Sequence, residues 1–191
     1  MKDLNRIKKI IINVDMVNGF VNEGPMHDEY INRVVPFQLR MMNEFEKSDD
    51  CLNVIVKDTH KPNCREFERY PIHCVENTTE SELIHDLKCF ENEKSAVFEK
   101  NSTSTIYADG FLAFIDNLKA LEEVTIVGCC TDICILNLAI PLQTYFDQKD
   151  RYIKIIVPKD GVETYDAPNH HRDEYNEIAF KLMKQAGIIL E

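Results

Sequence analysis

Cys134 stands at the start of a predicted helix, shortly after the apolar run Val124–Val127, a glycine at 128 and the pair Thr131-Asp132 that can cap a helix. If Val124–Cys129 is a strand and Asp132 opens the helix, the thiol meets unpaired backbone N–H groups and the positive helix end. Such a setting lowers a thiol pKa from about 8.5 toward about 3.5–7.5, and the same N–H groups are aimed at an oxyanion. The chemistry on offer is nucleophilic attack by a thiolate. A buried structural cysteine at a strand–helix corner is the alternative.

Other reactive side chains fall in similar places. Asp15 closes the Ile-rich run Lys9–Val14 and can serve as the base that a thiol nucleophile needs, or else cap the next turn. Lys100 follows Val97-Phe98-Glu99 and can steady a thiolate or a developing negative charge, or else be a solvated loop lysine. Asp58 and His60 lie two residues apart, with His73 further along the same loop. Carboxylate and imidazole ligands suit zinc, manganese or iron with one position left open, and either Glu66 or Glu68 can complete the shell. Without a metal they are surface residues. Phe20 and Tyr70, in loops, can sandwich a flat ring or simply pack. His170-His171 reads as a helix start with Asp173 and Glu174 in its first turn, and carries no assigned chemistry.

The elements that must position these groups alternate between short apolar strands and helices. Strands are predicted at Lys9–Val14, Leu52–Lys57, Ser95–Glu99, Val124–Cys129 and Ile153–Val157, with a sixth at Ile188–Leu190. Helical spacing runs from about Asp28 to Lys47, where Pro36 is expected to bend it, near Ala108–Ala120, from Asp132 onward with a kink at Pro141, and over His170–Gln185. Glu80–Leu87 is a further short helix, Met16–Met26 a loop, and Thr59–Thr79 a long polar loop of the functional kind. Nearly all-apolar strands alternating with helices predict a three-layer α/β/α fold on a mainly parallel six-stranded sheet. In such sheets ligands bind beyond the carboxyl ends of the strands, the rim to which Asp15, Asp58, Lys100 and Cys134 are all assigned.

Composition narrows the partners. The 191 residues suit one domain over the whole chain, and a net charge of -11 argues against nucleic acid or an anionic membrane surface. A small neutral or cationic ligand, or a metal ion, fits better. The 7 cysteines are odd in number and form no Cys-x-x-Cys pair, against a disulfide framework or a zinc ribbon. No signal-peptide core or membrane-length apolar run is present, so a reduced, cytoplasmic protein is expected.

Taken together the segments resemble a known family. Gly128-Cys-Cys-Thr131-Asp132-Ile-Cys134 is similar to the nucleophile motif of the isochorismatase-like cysteine hydrolases, nicotinamidases in particular. Ile12-Asn-Val-Asp15-Met-Val-Asn-Gly-Phe20 resembles their first-strand motif, and Phe98-Glu-Lys100 the strand that delivers a catalytic lysine, with Tyr107-Ala-Asp-Gly-Phe111 as the aromatic turn after it. Asp58-Thr-His60 and Tyr70-Pro-Ile-His73-Cys-Val75 resemble the metal motifs, with Tyr70 where Trp is usual. After the nucleophile, Leu138-Ala-Ile-Pro141-Leu142 departs from the usual Thr-Ala-x-Asp-Ala.

The resemblance implies a Rossmann-like fold and hydrolysis of nicotinamide, or of pyrazinamide in the same pocket, to the acid and ammonia. Asp15, Lys100 and Cys134 would be catalytic, the N–H groups of Cys130 and Cys134 the oxyanion hole, and a cis peptide is implied between Cys129 and Cys130. Phe20 and Tyr70 would cover the ring, and a divalent metal, zinc before manganese or iron, would sit on Asp58, His60 and His73, with Glu66 added in some members. A homo-oligomer and a role in NAD salvage are further implications. Two other readings stay open: a related amidase on another small planar or carbamoyl amide, and a non-catalytic metal-binding or thiol redox-sensing relative.

Overall fold

The computed structural model describes residues 2–191. Its Ile- and Val-rich runs form strands covered on both faces: β1 (Lys9–Val14), β2 (Cys51–Asp58), β3 (Ala96–Lys100), β4 (Glu123–Cys129) and β5 (Lys154–Val157). Two-residue strands β6 (Val162–Glu163) and β7 (Ile189–Leu190) complete a sheet of seven. The extra member, β6, pairs with Gly128 and Cys129, and two residues are too few to carry a sequence period. Every strand pair is parallel, in the order β3-β2-β1-β4-β5-β7.

The helices are α1 (Asn18–Val21), α2 (Val35–Lys47), α3 (Phe111–Asn117), α4 (Leu136–Gln148) and α5 (Arg172–Gln185). Alternate strand residues point to opposite layers. Ile10, Ile12 and Val14 pack with Phe111, Leu142, Phe146 and Met183 of α3, α4 and α5, while Ile11 and Ile55 pack with Val35, Met42 and Phe45 of α2. Each such fully buried side chain contributes about 1.5–3 kcal/mol. The resulting α/β/α layering is the one expected from sequence.

Several elements differ from their sequence expectation. Met16–Met26 contains the one-turn α1, whose Gly19, Phe20 and Val21 are buried. The helix expected over Asp28–Lys47 starts as a 3-10 turn, Glu29–Val34, and Pro36 sits in the first turn of α2, where a missing N–H costs nothing and no bend is imposed. Glu80–Leu87 is two 3-10 turns, Thr79–Ser81 and His85–Phe90. Pro141 lies inside α4, which continues through it, while Leu138 and Leu142 are buried in the core. α5 begins at Arg172, after the histidines.

The chain steps from β1 outward to β3, then returns to place β4 on the other side of β1. Such a reversal opens a crevice beyond the carboxyl ends of the two central strands. At that point β1 and β4 approach so closely that a Cβ on Gly128, φ +128°, would lie 2.0 Å from the Val14 carbonyl oxygen. Among the described residues no helix is long and apolar enough to cross a membrane.

Candidate active site

The crevice holds a cavity of about 660 Å³ whose wall includes Phe20, Asp58, Tyr70, His73, Cys130 and Cys134. Asp15 follows β1 in the left-handed region, φ +56°, a conformation that aspartate tolerates better than most residues. Lys100 ends β3, and its register partner across the sheet is Asp58 at the end of β2. Strand order thus delivers all three to one end.

Lys100 binds them together. Its Nζ lies 2.8 Å from Asp15 Oδ2 and 2.9 Å from Asp58 Oδ1, and donates to Cys134 Sγ at 3.8 Å. All four side chains are buried. Burial pushes the Asp15 carboxyl up to about 6, although the Lys100 charge and the Cys134 thiol pull it back. Burial acts on Asp58 in the same sense, but the Lys100 charge and hydrogen bonds from His60 and His73 outweigh it and hold its pKa below the ordinary value. On Lys100 burial is likewise outweighed, by the two carboxylates, so the ammonium is kept well past its usual range.

The thiol departs from expectation. Burial lifts the Cys134 pKa well above that of a free cysteine; Lys100 opposes the shift, and Asp15 and Asp58 reinforce it. Cys134 is therefore a neutral thiol at rest, beside a carboxylate able to take its proton. The turn that carries it also differs from expectation: Thr131–Ile135 is a π turn rather than an α-helical start, and neither Thr131 nor Asp132 caps it. The Cys130 carbonyl accepts the N–H groups of Ile133 and Ile135, both at 3.1 Å, and passes over that of Cys134 between them. The peptide joining Cys129 and Cys130 is cis.

Beside this cluster, Asp58, His60 and His73 form a group whose ligand atoms lie within 4.8 Å of one another. Asp58 Oδ2 is 3.0 Å from His60 Nε2 and 3.4 Å from His73 Nε2, and the two nitrogens are 3.2 Å apart. Zinc bound at about 2.0–2.1 Å holds tetrahedral ligand atoms about 3.3–3.4 Å from each other, so the donor set fits such an ion. His73 Nδ1 faces the Pro71 carbonyl oxygen at 2.7 Å, which fixes the ring with its Nε2 lone pair toward the group. Glu66 Oε2 is 3.8 Å from His60 Nε2, its other oxygen held by the N–H and hydroxyl of Thr103; Glu68 is exposed and off the cavity wall. The polar loop after β2 is closed by a bridge between His60 and Val75 and a 3-10 turn at Arg65–Glu68.

The sequence profile of the isochorismatase domain family matches residues 9–190. The chain belongs to that family. Within it, the chain is 30% identical over 187 residues to Nicotinamidase 1 of Arabidopsis thaliana, covering 87% of this chain and 74% of that protein. Among solved structures it resembles the pyrazinamidase of Pyrococcus horikoshii in complex with zinc, at 24% identity, TM-score 0.76, over 96% of this chain and 98% of that one. The N-carbamoylsarcosine amidase of Thermoplasma acidophilum is as similar, at 22% identity, TM-score 0.76, over 97% and 96% of the two chains. The isochorismatase fold is thus shared by proteins named for different amides, and the site has to discriminate among them.

Sequence reasoning missed one part of this family member's site. Asp132 does not cap a helix; its carboxylate takes His170 Nε2 at 2.8 Å and the Thr164 hydroxyl at 2.5 Å. His170 is stacked between Tyr165 and Tyr175, at 3.9 and 3.8 Å, and Tyr165 forms cavity wall. The segment preceding α5 therefore braces the turn that carries Cys134. No pattern within the Thr-Asp pair or the His-His pair signals a partner 38 residues away.

Proposed function

We propose that the protein hydrolyses nicotinamide, and pyrazinamide in the same pocket, to the carboxylic acid and ammonia through a thioester on Cys134. The observation that carries this reading is Lys100, which ties the thiol, the Asp15 carboxylate and the Asp58 end of the histidine group into one buried cluster, of which Asp58 and Cys134 line the cavity. Ionised Asp15 accepts the thiol proton, and Sγ attacks the carboxamide carbon. The N–H groups of Cys130 and Cys134 receive the oxyanion. Asp15 returns the proton to the departing ammonia, then accepts one from a water that attacks the thioester; the acid leaves and the thiol is restored. Lys100 keeps the buried carboxylates compensated throughout.

Asp58, His60 and His73, with Glu66 as a further ligand, would hold a divalent metal, zinc before manganese or iron, which when bound supplies a Lewis-acid anchor for the ring nitrogen. Phe20 and Tyr70 cover the ring faces. In this reading residues 1–191 act as a single hydrolase domain feeding nicotinate to NAD salvage.

The test is ammonia release from nicotinamide by purified protein, before and after chelation, with Cys134→Ala as the blank. Release that needs both the metal and Cys134 supports the assignment. A folded, metal-loaded protein that releases none sinks the substrate and moves attention to carbamoyl amides.

A further inference from the structure

The two histidines of the candidate metal group are held in different ways. His73 Nδ1 meets a carbonyl oxygen, a pure acceptor, so its tautomer has one solution. His60 Nδ1 meets the sulfur of Cys64 at 3.2 Å, and that sulfur also lies 3.4 Å from the carbonyl oxygen of Asn101. A thiol both donates and accepts. Because Asn101 O can only accept, the S–H can turn to it and leave a sulfur lone pair for Nδ1–H. His60 then presents an unprotonated Nε2 to Asp58 and His73, the form in which imidazole binds a metal. With the S–H turned to Nδ1 instead, Nε2 carries the hydrogen and donates to Asp58 Oδ2, 3.0 Å away. The thiol keeps its proton in both arrangements.

We propose that Cys64 is a positioning residue for the metal site, an ambivalent partner that lets His60 change tautomer when the ion binds. The surroundings are built for it. Cys64 is buried, its N–H bonds the Lys61 carbonyl at 2.9 Å, and the Lys61 N–H bonds Asn101 Oδ1 at 2.9 Å, which fixes sulfur and carbonyl relative to the ring. Phe67 packs edge-to-face with both imidazoles, 5.3 Å from His60 and 5.7 Å from His73.

This inference rests on reading Asp58, His60 and His73 as metal ligands, and its test separates the two. Zinc affinity is measured by competition with a chromophoric chelator on metal-stripped protein, for wild type, Cys64→Val and Cys64→Ser. The apolar Cys64→Val is expected to weaken zinc by about 10–100-fold, while the hydroxyl of Cys64→Ser restores most of the affinity. Imidazole nitrogen chemical shifts of His60 report the tautomer directly: zinc-loaded wild type is protonated at Nδ1. Cys64→Val binding zinc within about threefold of wild type would overturn the proposal, since outer partners of metal-bound histidine normally matter more than that. Wild type that binds no zinc overturns the metal reading, and this proposal with it.

Discussion

Lys100 Nζ lies 2.8 Å from Asp15 Oδ2, and neither side chain reaches solvent. An ammonium in that position also compensates Asp58, so one cation serves two buried carboxylates. Removing it leaves both uncompensated. Lys100→Met is expected to destabilise the protein by about 3–5 kcal/mol, read from denaturant unfolding, and Asp15→Asn added to it should recover part of the loss. A loss below about 1 kcal/mol, as for an exposed ion pair, would contradict the buried cluster.

Because burial pushes Asp15 up to about 6, the acid limb of the pH–rate profile should fall at that value. The sign follows from the role: below its pKa the carboxyl is protonated and cannot accept the thiol proton, so kcat/KM drops about tenfold per pH unit as pH falls through 6. An acid limb near 4, the range of an ordinary carboxylate, would argue against Asp15 as the base.

Cys134 carries the proposed covalent step, and Cys134→Ala should lower turnover by about 10⁴-fold or more without loss of folded structure. Mass spectrometry of wild type quenched during turnover should show the acyl adduct on Cys134. An adduct on Cys130, which also lines the cavity, would reassign the nucleophile.

The metal reading predicts a thermal shift. Zinc at about 100 times its dissociation constant should add about 2.7 kcal/mol of stability. Asp58→Ala combined with His60→Ala should abolish that gain. Nicotinamide turnover unchanged in the double variant would remove the ion from the reaction.

His170 stacks between two tyrosines and hydrogen-bonds the Asp132 carboxylate in the turn that carries Cys134. His170→Ala leaves the half-buried Asp132 carboxylate without this partner, at a cost of about 1–3 kcal/mol. If the pair positions the nucleophile, kcat should fall more than KM rises, and His170→Gln should restore part of it. An unchanged kcat in a less stable His170→Ala protein would leave the pair a purely structural role.

What the sequence by itself determined is what is local. The apolar runs ending at Val14, Lys57 and Cys129 declare strands covered on both faces, and alternation with helices declares a parallel sheet. Strand ends then put Asp15, Asp58, Lys100 and Cys134 on one rim, and the structure gathers them there. Only the tertiary structure decided how those groups act on one another. That Lys100 is shared by two acids, that Cys134 rests as a thiol, that Glu66 faces the histidines while Glu68 faces solvent, and that Asp132 answers His170 all depend on contacts across strand order and on the dielectric those contacts create. Hydrophobic periodicity sets where a strand lies; desolvation and Coulomb energy depend on what is folded against it.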